Sequence, residues 1–501
     1  MSSDASVATV DPIENDVQSV IDDGPLVNQS LVRTHLLSGM GFLLVALFAG
    51  FLYSLAFIGM YPFNNIEVLS PGRVGMVHVN VLIWGFIGNM TIGALYWTVP
   101  RLTKRQVLND LLGWATGGLW NFVVVLTIVG LLGGYAQSVE WGETPNGLVS
   151  LINGNAHIFF VDELIMVALS LVALQFIVPI VQAYGTQKSL PVSLWFIMAG
   201  LMWVPAVYLV GNYVTEFNLL RGAGGAVFAG LYKQSLIGLF MASLGWGMMY
   251  YFVPSIITKP MFSQSTATLG FWGITFFYPL TGIQNYINST IPAFAQYFAI
   301  VATVAVEIVI LTIAVNFIMT LRGREGYLRT SIAVRYFYAG IIFFVIATMH
   351  GAVQTQFWMN EAVGLTDWVT ANDYLLLYGV FGFWSLGILS DLWFRIADKP
   401  TWFSRGVNEW AFWLNLIGVS GLFIGLTAGG LMQGGMAQSL ATWENIVNSS
   451  QLPWRFRSLM LVLIILANSL ILFNMVMTSL SAKVREVKYA SSAAVSVGAG
   501  D

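Results

Sequence analysis

The residues that could do chemistry in this chain are few, and most of them sit inside long apolar runs. Its four histidines are His35, His78, His157 and His350, and cysteine is absent, which removes thiolate metal sites, disulfides and thiol nucleophiles. Within or at the edge of apolar stretches stand His157 with Asp162 and Glu163, Lys233 with Gln234, Gln284 with Asn285, Glu307, His350, Asn372 with Asp373, and Asp391. At membrane depth an ionisable group costs several kcal/mol unless it is paired or faces a cavity, so each is a functional candidate. Lys233, Glu307, His350 and Asp373 form a candidate polar trail, because buried Lys and His beside carboxylates shift toward neutrality and can relay protons. The competing reading is that these groups neutralise one another and hold helices in register. Asp162, Glu163 and Asp391 read as ion-pair partners of neighbouring helices, and His35 and His157 as groups at span ends. His78 differs from these. It lies in Gly72-Arg73-Val74-Gly75-Met76-Val77-His78-Val79-Asn80, ahead of Trp84-Gly85-Phe86-Ile87-Gly88-Asn89. Small residues admit either a neighbouring helix or a flat ligand, so the imidazole suits an axial heme ligand as well as a packed core position.

The elements that must position these groups are membrane helices. Of 501 residues, 57% are hydrophobic and only 9% charged, with a mean hydropathy of +0.75; a soluble domain carries roughly 25% charged residues to solvate its surface. Apolar runs long enough to cross a hydrocarbon core of about 30 Å fall at 35–60, 74–99, 111–134, 156–183, 192–214, 226–254, 266–286, 291–320, 336–358, 372–396, 409–434 and 456–480. The sequence therefore predicts an all-α integral membrane bundle of about twelve spans over 35–482. An acidic segment, 1–34, precedes it and a short tail, 483–501, follows, both read as mobile and cytoplasmic. The first thirty residues lack a basic n-region, so no cleavable signal peptide is expected. With the N-terminus inside, one side collects Arg33, Arg101, Lys104, Arg105, Lys188, Lys259, Arg322, Arg324, Arg329, Arg335, Arg395, Lys399, Arg405, Lys483, Arg485 and Lys488. The other side holds only Arg73, Arg221, Arg455 and Arg457, the asymmetry expected for an even number of spans with both termini cytoplasmic. The net charge of −3 points to no nucleic acid partner. No internal repeat stands out.

The stretch from Arg73 through Pro100-Arg101 resembles the second helix of heme-copper oxidase catalytic subunits, nearest to C-family cytochrome c oxidases and nitric oxide reductases. Gly247-Met248-Met249-Tyr250-Tyr251-Phe252-Val253-Pro254 is similar to the end of that family's sixth helix, and Thr366-Asp367-Trp368 to the triplet before its tenth. Leu431-Met432-Gln433-Gly434 resembles part of the eleventh and Leu472-Phe473-Asn474-Met475 part of the twelfth. The resemblance implies a subunit I-like fold in a bacterial or archaeal inner membrane. It also implies companion subunits of a respiratory complex, with quinone or cytochrome c as redox partners.

The same resemblance exposes departures. The tenth-helix His-x-His pair, which holds both hemes in the family, aligns with Asn372-Asp373-Tyr374. The three copper-ligand positions align with Gln234, Gln284 and Asn285. Copper sites want imidazole nitrogen, for which amides are poor substitutes, and Asn is no axial heme donor. Of six metal-binding histidines His78 alone stands, so the expectation is at most one heme b and no copper, with Tyr374 as a weak sixth-ligand candidate. Tyr278 keeps the register of the family's cross-linked tyrosine, and Arg73 and Arg457 match propionate-facing positions. His350 stands where relatives carry a glutamate. The reading that follows is an oxidase-like subunit without its binuclear centre, serving as anchor, electron-transfer or proton-path subunit. Its alternatives are a metal-free proton or small-solute conductor, and a retained oxidase or nitric oxide reductase activity on a rebuilt site of His350, Glu307 and Asp373.

Overall fold

Apolar sequence between capping residues sets the helix boundaries. Asn28, Asn109, Ser263, Ser331, Thr366, Ser404 and Thr442 each accept a bond at a helix start from a first-turn backbone N–H, satisfying donors that lipid could not. The computed structural model describes residues 26–134, 161–187, 189–216, 220 and 222–481. The terminal segments 1–25 and 482–501, and with them Lys483, Arg485 and Lys488, lie outside the described residues, as do His157, Lys188, Arg221 and the side chains of Asp162 and Asn285.

In chain order the long helices among the described residues are α1 (Gln29–Ala56), α2 (Pro71–Thr103), α3 (Asp110–Gly133), α4 (Val161–Tyr184), α5 (Val192–Glu216), α6 (Ala223–Ile257), α7 (Gln264–Phe277), α8 (Ala293–Leu321), α9 (Ile332–Gln354), α10 (Asp367–Ile396), α11 (Arg405–Gln438) and α12 (Trp443–Leu480). Eleven are long and apolar enough to cross a bilayer. The exception is α7, predicted as an ordinary span. It has only 14 α-helical residues and continues through a 3₁₀ stretch, Pro279–Tyr286. By the usual rises the two parts together reach roughly 35–40 Å, enough to cross. The first span also begins earlier than predicted, at Gln29. We call the face where α1 starts and α12 ends proximal, and the opposite face distal.

Burial separates the helices into two classes. In α2, α6 and α10 the apolar windows are 83%, 89% and 94% buried, against 39–56% in the other spans, so these three are surrounded by protein and the rest face lipid. The outer helices close on themselves, with α12 packed on α1. The three inner helices repeat a pattern that the sequence conceals. Each carries a π-helical segment (Val81–Gly88, Leu236–Ala242 and Leu375–Gly382). Each is followed at the proximal face by a non-glycine residue in the left-handed region, Lys104 (φ +55°), Thr258 (φ +51°) and Asp398 (φ +54°). Every fourth helix thus has the same design, a repeat of backbone form without a repeat of sequence.

Polar side chains knit the outer helices together. Asn468 donates to Asn415 Oδ1 at 2.9 Å, Asn415 to Tyr336 at 3.3 Å, and Asn474 to Asn408 Oδ1 at 2.8 Å, the amide glue typical of membrane bundles. At the distal end Asp367 accepts from Gln433 and Trp454, both at 2.7 Å, tying α10 to α11 and α12.

Candidate functional site

The π segments mark one layer of the molecule. His78, Gln234 and Tyr374 each lie within three residues upstream of the π segment on α2, α6 and α10. All three helices start at the distal face, so these positions share a depth in the distal half. π turns recur at functional sites because the wider turn re-aims neighbouring side chains.

Five of the sequence-predicted positions meet around a single small cavity. Gln234, Tyr278, Gln284, Asn372 and Asp373 line a space of about 30 Å³, room for a water or two, together with the hydroxyls of Thr281, Thr303 and Thr348. Its chemistry is that of amides and hydroxyls, which hold water or polar solutes. Tyr278 reaches it because Gly238, in the π segment of α6, has no Cβ; one there would collide with the Tyr278 ring. At the wall Lys233 Nζ stands 3.6 Å from Asp373 Oδ2, with side chains 11% and 40% exposed. An α6–α10 ion pair therefore sits beside Gln234 and Asn372.

The rest of the predicted polar trail, Glu307 and His350, lies beside the cavity without lining it. His350 is turned toward α10 and α11: its ring stacks on Trp368 at 3.8 Å and 13°, and Nε2 lies 3.3 Å from Thr427 Oγ1. Glu307 is 9% exposed with neither carboxyl oxygen hydrogen-bonded. Among the described residues no three His, Asp or Glu side chains gather as a metal site would require, so the rebuilt site of His350, Glu307 and Asp373 finds no support in the geometry. One other expectation changes as well. Asp391 pairs within its own helix, with Arg395 at 2.8 Å, rather than with a neighbouring one. His35, read as a structural group at a span end, is 1% exposed and bonded to Asn89 at 2.8 Å.

His78 is also enclosed. It is 1% exposed. Nδ1 lies 2.8 Å from Ala46 O, the arrangement in which it donates to that carbonyl. The ring fits against α1 because residue 50 is glycine; a Cβ there would stand 2.5 Å from Nδ1. On its other side are two tyrosines of α10, Tyr374 with its ring centroid at 5.9 Å and Tyr378 at 6.0 Å, and the Tyr378 hydroxyl is 3.5 Å from His78 Nε2. Sequence reasoning named Tyr374 and missed Tyr378, although an i,i+4 pair shares one helix face. Arg73 pairs with Glu67 at 2.9 Å and donates to Leu132 O at 3.0 Å. Arg457 is 2% exposed, with its guanidinium 4.0 Å over the Phe57 ring and 3.5 Å from Ser54 O, and its Nε has no partner.

The fold has known counterparts. A family model described as Cytochrome C and Quinol oxidase polypeptide I matches residues 30–463. The chain belongs to this family. Members of the oxidase polypeptide I family generally bind heme and work in multisubunit membrane complexes. Cytochrome c oxidase subunit 1 of Rhodobacter capsulatus is 24% identical over 442 residues, covering 85% of this chain and 78% of that one. The cbb3-type cytochrome c oxidase subunit CcoN1 of Stutzerimonas stutzeri is 24% identical over 404 residues, covering 79% and 81%. Among solved structures, a heme-copper terminal oxidase dimer superposes with a TM-score of 0.68 at 13% identity, over 91% of this chain and 85% of that one. An oxidase polypeptide I fold and an integral membrane location are thereby established for this chain.

Proposed function

We propose that this chain is an oxidase polypeptide I that has lost the heme-copper binuclear centre and serves as a metal-free membrane subunit of a respiratory or electron-transfer complex. The observation that carries the reading is the cavity itself. Gln234, Gln284 and Asn372, standing at positions where relatives place copper and heme ligands, share one wall system with the Lys233–Asp373 pair. Amide oxygens and an ammonium bind neither copper nor heme iron well. The ion pair also puts a cation beside the former copper position, where it would repel a metal ion.

The low-spin heme position does not fit a heme on His78 either. Iron must sit on Nε2 with a flat macrocycle across it. That space is taken by the Tyr378 hydroxyl, 3.5 Å from Nε2, and by the Tyr374 ring. The unpartnered Nε of Arg457 is a feature a heme propionate would satisfy; in the tyrosine-filled arrangement its charge rests on the Phe57 face and Ser54 O. No electron-transfer step is therefore assigned to the chain. It anchors companion subunits and keeps lipid from them, with residues 35–482 as one membrane domain and the proximal face cytoplasmic. Supporting that orientation, Arg33, Lys104, Lys259, Arg322 and Arg405 all lie at proximal helix ends.

A pyridine hemochrome assay with metal analysis tests the proposal, run on the purified chain together with its co-purifying subunits. The expected result is no heme and no copper attributable to this chain. One heme per chain that disappears in His78→Ala would overturn the low-spin part, and copper at one per chain would overturn the whole. A metal-free conductor is a second reading, favoured by the unpartnered Glu307 carboxyl next to the cavity. A proton leak in proteoliposomes that Lys233→Met abolishes would support it.

A further inference from the structure

Glu307 follows the cavity-lining Val306 on α8, toward the proximal side of the cavity. Along α8, Thr303 and Val306 line the cavity and Glu307 follows on the same face; across from it on α9, Thr348 lines the cavity too. Glu307 is 9% exposed and neither oxygen has a hydrogen-bond donor. The nearby hydroxyls bond back to their own helices, Thr303 to Ala299 O at 2.6 Å and Thr348 to Phe344 O at 2.9 Å. A hydroxyl proton can rotate, so Thr348 can donate to a Glu307 carboxylate by leaving its helix carbonyl, and can accept from a protonated carboxyl while keeping it.

On the proximal side the path ends. The next buried residues of α8 after Glu307 are Ile310, Ile313 and Ala314. Beyond them Trp246 of α6 stacks on Phe317 of α8 and Phe344 of α9, both at 5.5 Å, and meets Trp384 of α10 edge-on at 4.7 Å. Four helices thus contribute one fully packed aromatic layer. On the distal side, by contrast, Asp373 is 40% exposed at the cavity wall. The other titratable groups around this space are Tyr278 on the stretch after α7, the Lys233–Asp373 pair between α6 and α10, and His350 on α9, turned to Trp368 and Thr427.

We propose that Glu307 is a proton-exchange site that the cavity connects to the distal face and the aromatic layer seals from the proximal face. The step is a simple transfer. Cavity water delivers a proton to a Glu307 carboxylate oxygen, the carboxyl donates it in a hydrogen bond to Thr348 or Thr303, and the proton leaves by the way it came. Such a site stores a proton without conducting one across the membrane. The inference rests on the reading of the cavity as free of metal.

The test uses the full chain with its co-purifying subunits, inserted in one orientation in sealed proteoliposomes, with pH varied separately on each side. Infrared difference spectra should show a protonated-carboxyl C=O band that follows distal pH and ignores proximal pH. Glu307→Gln should remove that band completely and Glu307→Asp should shift it; the aspartate variant keeps the test valid if the glutamine variant does not insert. A band that follows proximal pH, or both sides equally, would overturn the proposal, as would a wild-type spectrum with no band sensitive to residue 307. Heme and metal content measured on the same sample separates the two readings. Copper found alongside a distal-responsive Glu307 band sinks the metal-free assignment but leaves the exchange site, and a metal-free sample with a proximal-responsive band does the reverse.

Discussion

Lys233 and Asp373 provide a quantitative check because their environments are unequal. The ammonium and carboxylate are 3.6 Å apart, which at an effective dielectric constant of about 20 corresponds to an attraction of roughly 4–5 kcal/mol as an upper bound. Asp373 is 40% exposed while Lys233 is 11% exposed, so water screens the pair and the net coupling falls to about 1–2 kcal/mol. The cost of breaking the pair depends on which charge is left behind. Asp373→Asn removes the counter-charge of a buried ammonium and should cost about 2 kcal/mol. Lys233→Met leaves a carboxylate that water can reach and should cost less than about 1 kcal/mol. The double variant should be no less stable than Asp373→Asn alone, because the methionine removes the buried charge. Thermal or denaturant unfolding in detergent, arranged as a double-mutant cycle, measures all three. Lys233→Met more damaging than Asp373→Asn, or strictly additive effects, would refute the pairing argument.

Tyr374→His combined with Tyr378→Ala supplies a second imidazole and clears the space before His78 Nε2; grown with added heme, this variant should gain a Soret band that the wild type lacks. Gly238→Val places a side chain against the Tyr278 ring and should destabilise the fold by about 1–3 kcal/mol, read as a lower unfolding midpoint and poorer yield. Asn415→Leu breaks the hydrogen bonds to Tyr336 and Asn468 and should cost only about 0.6 kcal/mol per bond removed, because the membrane-unfolded state also finds partners. Tyr61, in the segment between α1 and α2, donates to Leu69 O, and burial raises its phenol above the usual value. The protonated form is favoured in the fold, so this contact is fully present below the ordinary phenol pKa and lost as pH climbs through the raised one. Proteolysis of the distal loop should speed up in that alkaline window, and Tyr61→Phe should show the faster cleavage already at neutral pH.

Much of the architecture was readable because lipid demands long apolar helices, and the composition admits little else. Span order followed from the apolar runs, and the positions at Gln234, Gln284 and Asn372 from the resemblance to heme-copper oxidase helices; these three do line one cavity. What spacing could not supply was orientation. His350 and Glu307 look equivalent in sequence, each a lone polar group in an apolar run. Yet stacking on Trp368 and a contact with Thr427 turn His350 toward α10 and α11, while neither Glu307 carboxyl oxygen is hydrogen-bonded. Tyr378 was legible in principle, one turn beyond Tyr374, but a tyrosine within Leu375-Leu376-Leu377-Tyr378-Gly379 reads as ordinary core. The shortened α7 was hidden because the run 266–286 is long enough to span, and length alone does not tell an α-helix from one that continues as a 3₁₀ stretch. The fourfold spacing of inner helices was invisible because its mark is backbone hydrogen bonding and not residue identity.

The three π segments bear on how such a chain could change its chemistry and keep its shape. Each π turn holds one more residue than an α turn, so it offsets the angular phase of everything upstream by about 100° relative to everything downstream. It acts as a phase joint. Below it the helix surface is fixed by close packing, with glycines 245, 340 and 387 pressed against Trp384 and Phe337. Above it, side chains aim inward on their own phase. A histidine exchanged for an amide or a tyrosine above the joint therefore alters what the chamber can hold without rotating the packed interface beneath.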